Sequence, residues 1–116
     1  MMKGVVVLFA AGNSALEYPS YPGYYSSCIS VSALNASNHL TVYSNYGSWV
    51  DLSAPGGQSE DNANLDPNSE YKNGVLSTLE NDAYGYLDGT SMACPHVSGI
   101  AALVVSEFGG QNFTNT

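Results

Sequence analysis

At 116 residues the chain fits one modest domain, and a chain of this size buries only about two-thirds of the surface it exposes when unfolded, so a large core is excluded. Two basic residues against ten acidic ones give a net charge of -8, which argues against nucleic acid and anionic membrane surfaces as partners. Nine tyrosines and 44% apolar residues mark a folded protein, and no uninterrupted apolar run approaches the length of a membrane span.

Met1, Met2 and Lys3 ahead of the apolar residues 5–11 imitate a signal peptide, but the run sits at the short limit of an h-region. Continuous, β-branched apolar residues also read as a buried parallel strand, and the turn that follows favours the strand. In that turn Asn13 comes after Gly12, and residue type alone allows Asn13 no more than tolerance of a left-handed conformation. A turn-dense stretch, Tyr18-Pro19-Ser20-Tyr21-Pro22-Gly23, leads to the alternating Cys28-Ile29-Ser30-Val31-Ser32-Ala33, which predicts a second strand. A polar turn containing His39 and the segment Tyr43-Ser44-Asn45-Tyr46-Gly47 precede Val50-Asp51-Leu52-Ser53-Ala54, a short strand ending in Pro55 and Gly56. Residues 57–73 include Glu60, Asp61, Asn62, Asn64, Asp66, Asn68 and Glu70. They lack the turn glycine and spacing of an EF-hand and read as a solvated surface loop. Residues 74–79 and 84–87 read as the strands of a hairpin turning at Glu80, Asn81 and Asp82.

The hairpin delivers Gly89-Thr90-Ser91-Met92-Ala93-Cys94-Pro95-His96-Val97-Ser98-Gly99 and then the apolar residues 100–108. A serine between a glycine turn and a helix start projects its hydroxyl outward beside unpaired N–H groups, a position suited to a nucleophile. Residue type alone equally makes Ser91 a helix cap. Pro95 fits a first helical turn, whose N–H groups have no intrahelical partner. Ala93, Gly99, Ala101 and Ala102 admit a close neighbour, while Val97, Ile100, Leu103 and Val104 place apolar bulk nearly all round, as in a buried helix. His96 cannot serve Ser91 as a base, because five residues along a helix rotate about 500° and leave it on another face. Cys28 and Cys94 read as two free, buried thiols, and no Cys, His and carboxylate cluster forms a metal site.

The string Gly-Thr-Ser-x-Ala-x-Pro-x-x-x-Gly resembles the nucleophile signature of the subtilisin-like serine proteases (subtilases, peptidase S8). Val-Val-x-x-Ala-Ala-Gly-Asn at residues 6–13 resembles the strand and turn that carry that family's oxyanion-hole asparagine. The resemblance implies an α/β fold with a parallel sheet and a buried helix following the nucleophile. It implies Ser91 and Asn13 as catalytic residues, with Ala10, Ala11, Gly12, Ser20, Gly89 and Thr90 against the substrate. It further implies a cis bond before Pro22, no required cofactor, and a weak cation site at Asp51 completed by backbone carbonyls of Gly23, Tyr25 and Cys28. The implied substrate is a polypeptide and the implied location is secreted or cell-surface.

The resemblance covers residues 1–116 but only the carboxyl-terminal part of the family's catalytic domain. The family's triad runs Asp, His, Ser along the chain. Neither an Asp-Thr-Gly-like strand end nor a His-Gly-Thr-His-like helix start occurs here. The expectation is a fragment that keeps the nucleophile and oxyanion donor, lacks the base, needs the missing amino-terminal part of its own domain, and is inactive alone. Two other classes fit the residues: a non-catalytic subtilase-like binding module, and a small acidic, Tyr-rich extracellular binding domain whose serine turn is coincidental. Asn13 and Ser91 on different faces of the fold favour the last.

Overall fold

The computed structural model describes residues 5–59 and 73–108. The signal-like start at Met1, Met2 and Lys3 and the acidic stretch containing Glu60, Asp61, Asn62, Asn64, Asp66, Asn68 and Glu70 lie outside the described residues. Three parallel strands, β1 (Leu8–Ala10), β2 (Ile29–Leu34) and β3 (Leu52–Pro55), form one sheet with β2 in the middle. An antiparallel hairpin of β4 (Val75–Thr78) and β5 (Tyr84–Leu87) follows, and α1 (Thr90–Phe108) returns to pack across the sheet.

Alternation along β2 decides the two faces of the sheet. Val31 and Ala33 meet Ala54, Ala93 and Val97 in the core. Ser30 and Ser32 point the other way and are also buried, which is tolerable only because each hydroxyl is hydrogen-bonded. Ser30 Oγ donates to the Trp49 carbonyl at 2.7 Å, and Ser32 Oγ pairs with Ser53 Oγ at 2.7 Å. Core side chains are small, so helix and sheet backbones approach closely.

Three sequence expectations change in the structure. Only Leu8, Phe9 and Ala10 of the first apolar run pair as a strand, half-buried, and Val5, Val6 and Val7 are exposed, because among the described residues β1 has a neighbour on one side only. The helix is buried along one stripe, Thr90, Ala93 and Val97, spaced to share one face. The rest of its apolar surface is open, with Leu103 71% and Phe108 79% exposed, since one three-stranded sheet covers one side. The helix also begins at Thr90, so Pro95 lies inside it rather than in its first turn. That proline removes the N–H that would have bonded the Ser91 carbonyl. At 19 residues and mean hydropathy 1.2, α1 is long and apolar enough to cross a membrane, which a count of uninterrupted apolar runs does not anticipate. Its Ala93 and Val97 pack against Val31, Ala33 and Ala54 of the sheet.

Candidate active site

The serine turn is fixed by glycine. The Gly89 carbonyl accepts from the N–H groups of Met92 at 3.0 Å and Ala93 at 3.3 Å, so Gly89 occupies the cap position and Ser91 the second residue of the helix. Ser91 is thus not the cap residue. It is exposed, at the amino-terminal end of α1, where backbone N–H groups point outward and the helix dipole favours negative charge. Gly89 itself is tied back to the sheet by its N–H, which donates to the Gly56 carbonyl at 2.8 Å.

Asn13 reaches the same place from the carboxyl end of β1. Its Oδ1 accepts from Thr90 N–H at 2.9 Å and from Thr90 Oγ at 2.7 Å, and Thr90 Oγ in turn accepts from Gly12 N–H at 3.2 Å. The backbone donor settles the orientation of the amide: oxygen toward Thr90, and therefore Nδ2 away from it. Gly89 shows where Nδ2 lies. A Cβ on Gly89 would sit 3.4 Å from Asn13 Nδ2 and 3.6 Å from Ser91 N, so the absent side chain leaves open a point that both nitrogens flank. Met92 Sδ borders the same point at 3.7 Å, and two N–H donors that approach one such point can hold an oxyanion.

Of the residues expected to contact substrate, Ala10 ends β1 and Ala11 follows it. Ala11 is fully buried and donates its N–H to the Val31 carbonyl at 2.8 Å. Gly12 and Ser20 face each other across the turn, with Ser20 Oγ 3.9 Å from where a Gly12 Cβ would stand. Gly12, Asn13 and Thr90 are joined by the bonds already described, while Ala10 and Ser20 make no hydrogen bond to that group. The Tyr21-Pro22 peptide is cis. Sequence reasoning passes over Asn45, a 4% exposed amide whose side chain bonds Ala11, Ser14 and Leu16. The only signal for it is an amide in an otherwise turn-like Tyr-Ser-Asn-Tyr-Gly.

Among the described residues neither histidine side chain is hydrogen-bonded to Ser91. His96 is exposed, and its Nδ1 lies 2.7 Å from the Met92 carbonyl on its own helix. His39 is exposed in the loop after β2. Cys28 and Cys94 are free but half-buried rather than buried, and partial burial raises the Cys94 thiol above its ordinary pKa. Gly23, Tyr25, Cys28 and Asp51, expected around a cation, do line one cavity of about 310 Å³, together with Trp49. Asp51 Oδ2 is already committed to Ser30 N–H at 2.8 Å, and among the described residues no three His, Cys, Asp or Glu side chains cluster. One carboxylate with one free oxygen does not fit calcium, which takes six to eight oxygen ligands.

Comparison with known proteins bears on the whole chain. The profile of the subtilase family (peptidase S8) matches residues 1–116. A thermophilic serine proteinase of a Bacillus species is 40% identical over 105 residues, covering 90% of this chain and 22% of the relative. Thermitase of Thermoactinomyces vulgaris is 39% identical over 105 residues, covering 90% of this chain and 32% of the relative. A solved protease of Pseudoalteromonas arctica superposes with a TM-score of 0.77 at 37% identity, over 89% of this chain and 31% of that one. The chain therefore spans between 22% and 32% of the length of these curated relatives.

Proposed function

Because this chain belongs to the subtilase family of serine proteases, we propose that it carries the nucleophile and oxyanion hole of an endopeptidase acting on polypeptides. Ser91 Oγ attacks the scissile carbonyl carbon, the carbonyl π electrons move to oxygen, and the oxyanion accepts from Asn13 Nδ2 and the Ser91 N–H. The observation that carries the reading is the Thr90 lock on Asn13 Oδ1, which leaves Nδ2 beside Ser91 N around Gly89. Gly89 and Thr90 border the oxyanion, while Ala10, Ala11, Gly12 and Ser20 form a wall for the residue preceding the scissile bond.

The Ser91 proton has no acceptor among the described residues, so the base comes from a polypeptide carrying the His and Asp motifs of the amino-terminal part of such a domain. No cofactor is required. The Asp51 cavity is proposed as no more than a weak cation site outside the chemistry, and the location is secreted or cell-surface. The test is a fluorophosphonate probe read by intact mass, on the chain alone and on the chain assembled with an upstream subtilase segment. The chain alone should stay unlabelled, because a serine without a base is a weak nucleophile. The assembled chain should gain one adduct at Ser91 that Ser91→Ala abolishes. A stable assembly that remains unlabelled, or labelling that survives Ser91→Ala, overturns the proposal.

A further inference from the structure

The structure assigns Asn45 as the positioning residue for Asn13: its amide clamps the backbone on both sides of Asn13 and so sets where Nδ2 points. An asparagine amide offers an oxygen that accepts twice and a nitrogen that donates. Asn45 uses both ends. Its Oδ1 accepts from Ser14 N–H at 3.0 Å and Leu16 N–H at 3.1 Å, and its Nδ2 donates to the Ala11 carbonyl at 2.9 Å. Its own N–H donates to the Gly12 carbonyl at 2.8 Å. The four bonds fall on residues 11 and 12 before Asn13 and 14 and 16 after it.

Asn13 is thereby held at two independent levels, its backbone flanks by Asn45 and its side-chain oxygen by Thr90. Gly12 makes room for the clamp. Its φ is +104°, and a Cβ there would lie 2.5 Å from Asn45 Nδ2. No other side chain fills the role: aspartate cannot donate to Ala11, serine and alanine fall short, and glutamine is one methylene too long for a site that is 4% exposed. Asn45 bonds the backbone carbonyls of Ala11 and Gly12 in the proposed substrate wall, and it reaches the oxyanion position only through Asn13. Its significance rests on reading Asn13 as an oxyanion donor, but its test needs no catalysis.

The test is NMR on the full chain, following the Asn13 side-chain amide signals, the Thr90 amide signal and residue-by-residue hydrogen exchange. Asn45→Asp keeps both acceptor bonds but sets a carboxylate against the Ala11 carbonyl. At neutral pH the Asn13 and Thr90 signals should move, and Thr90 exchange should quicken about tenfold or more, the scale of one lost hydrogen bond. Acidification protonates the introduced aspartate, restores a donor to Ala11 and should return both signals to their wild-type positions. A purely structural loss would instead quicken exchange across the β2–β3 ladder and would not single out Thr90. Gly12→Ala provides a second variant, whose Cβ displaces the same amide and should move the same signals. Unmoved Asn13 and Thr90 signals in either folded variant, or shifts that acid does not reverse in Asn45→Asp, overturn the assignment. Failure of Ser91 to be labelled would leave these signals, and the assignment, untouched.

Discussion

Replacing Thr90 by valine removes one hydroxyl and little volume, which makes it a sharp probe of the site's internal bonding. Thr90 is 1% exposed, and its Oγ both donates to Asn13 Oδ1 at 2.7 Å and accepts from Gly12 N–H at 3.2 Å. Valine leaves the half-buried Gly12 N–H without its partner, a cost of about 1 to 3 kcal/mol for a desolvated donor. Asn13 is exposed and keeps the Thr90 N–H, so its oxygen recruits water and adds only a few tenths. The expected loss is about 2 kcal/mol, or roughly 10 °C in melting temperature for a chain of this length. Thr90→Ser keeps the hydroxyl and loses a methyl group, for about 1 kcal/mol. Urea unfolding followed by circular dichroism measures both, with unchanged m-values as the control. A Thr90→Val chain as stable as wild type, or a serine variant as unstable as the valine one, would refute the bonding argument.

Gly89→Ala, at φ +151° and with its Cβ between Asn13 Nδ2 and Ser91 N, should cost about 1 to 3 kcal/mol in urea unfolding. In an assembled enzyme it should lower kcat by about 10² to 10³, the scale of a lost oxyanion donor; unaltered kcat would mean that the void is not the oxyanion site. Burial raises the pKa of the Tyr43 hydroxyl and of the Cys94 thiol. Both groups deprotonate first in the unfolded chain, which then binds fewer protons than the folded one. Stability should therefore fall as pH rises above about 9 to 10, seen as a declining urea midpoint between pH 8 and 11; a flat profile would contradict it. Leu103→Lys, on the open face of α1, should reduce dye binding to apolar surface and shift sedimentation toward the monomer, while changing folding stability by less than about 0.5 kcal/mol.

The strands were legible where pattern and partner agree. The alternation of Ile29-Ser30-Val31-Ser32-Ala33 and the two halves of the hairpin appear close to where their residue types place them. The run at 5–10 reads as a longer buried strand because apolar content does not reveal that β1 sits at a sheet edge. The apolar circumference of α1 is visible in sequence, but how much of it is covered depends on what lies opposite. At the site, Ser91 and Asn13 stand out by the strings around them. Asn45 does not, because its chemistry depends on the carbonyl and N–H groups of a turn folded thirty-odd residues earlier, which no local spacing encodes.

The bonds between Asn13 and Thr90 join positions 77 residues apart. Closing a flexible loop of that size costs about 4 kcal/mol in chain entropy beyond a constant, more than these bonds return by themselves. The expectation is that they form after the β1–β2 and β2–β3 pairings have shortened the loop to be closed, late in folding. Substitutions at Thr90 should accordingly leave the folding rate near its wild-type value and appear almost wholly as faster unfolding. The lifetime of the closed Asn13–Thr90 contact, rather than the speed of collapse, then sets how long the proposed oxyanion donors stay aligned.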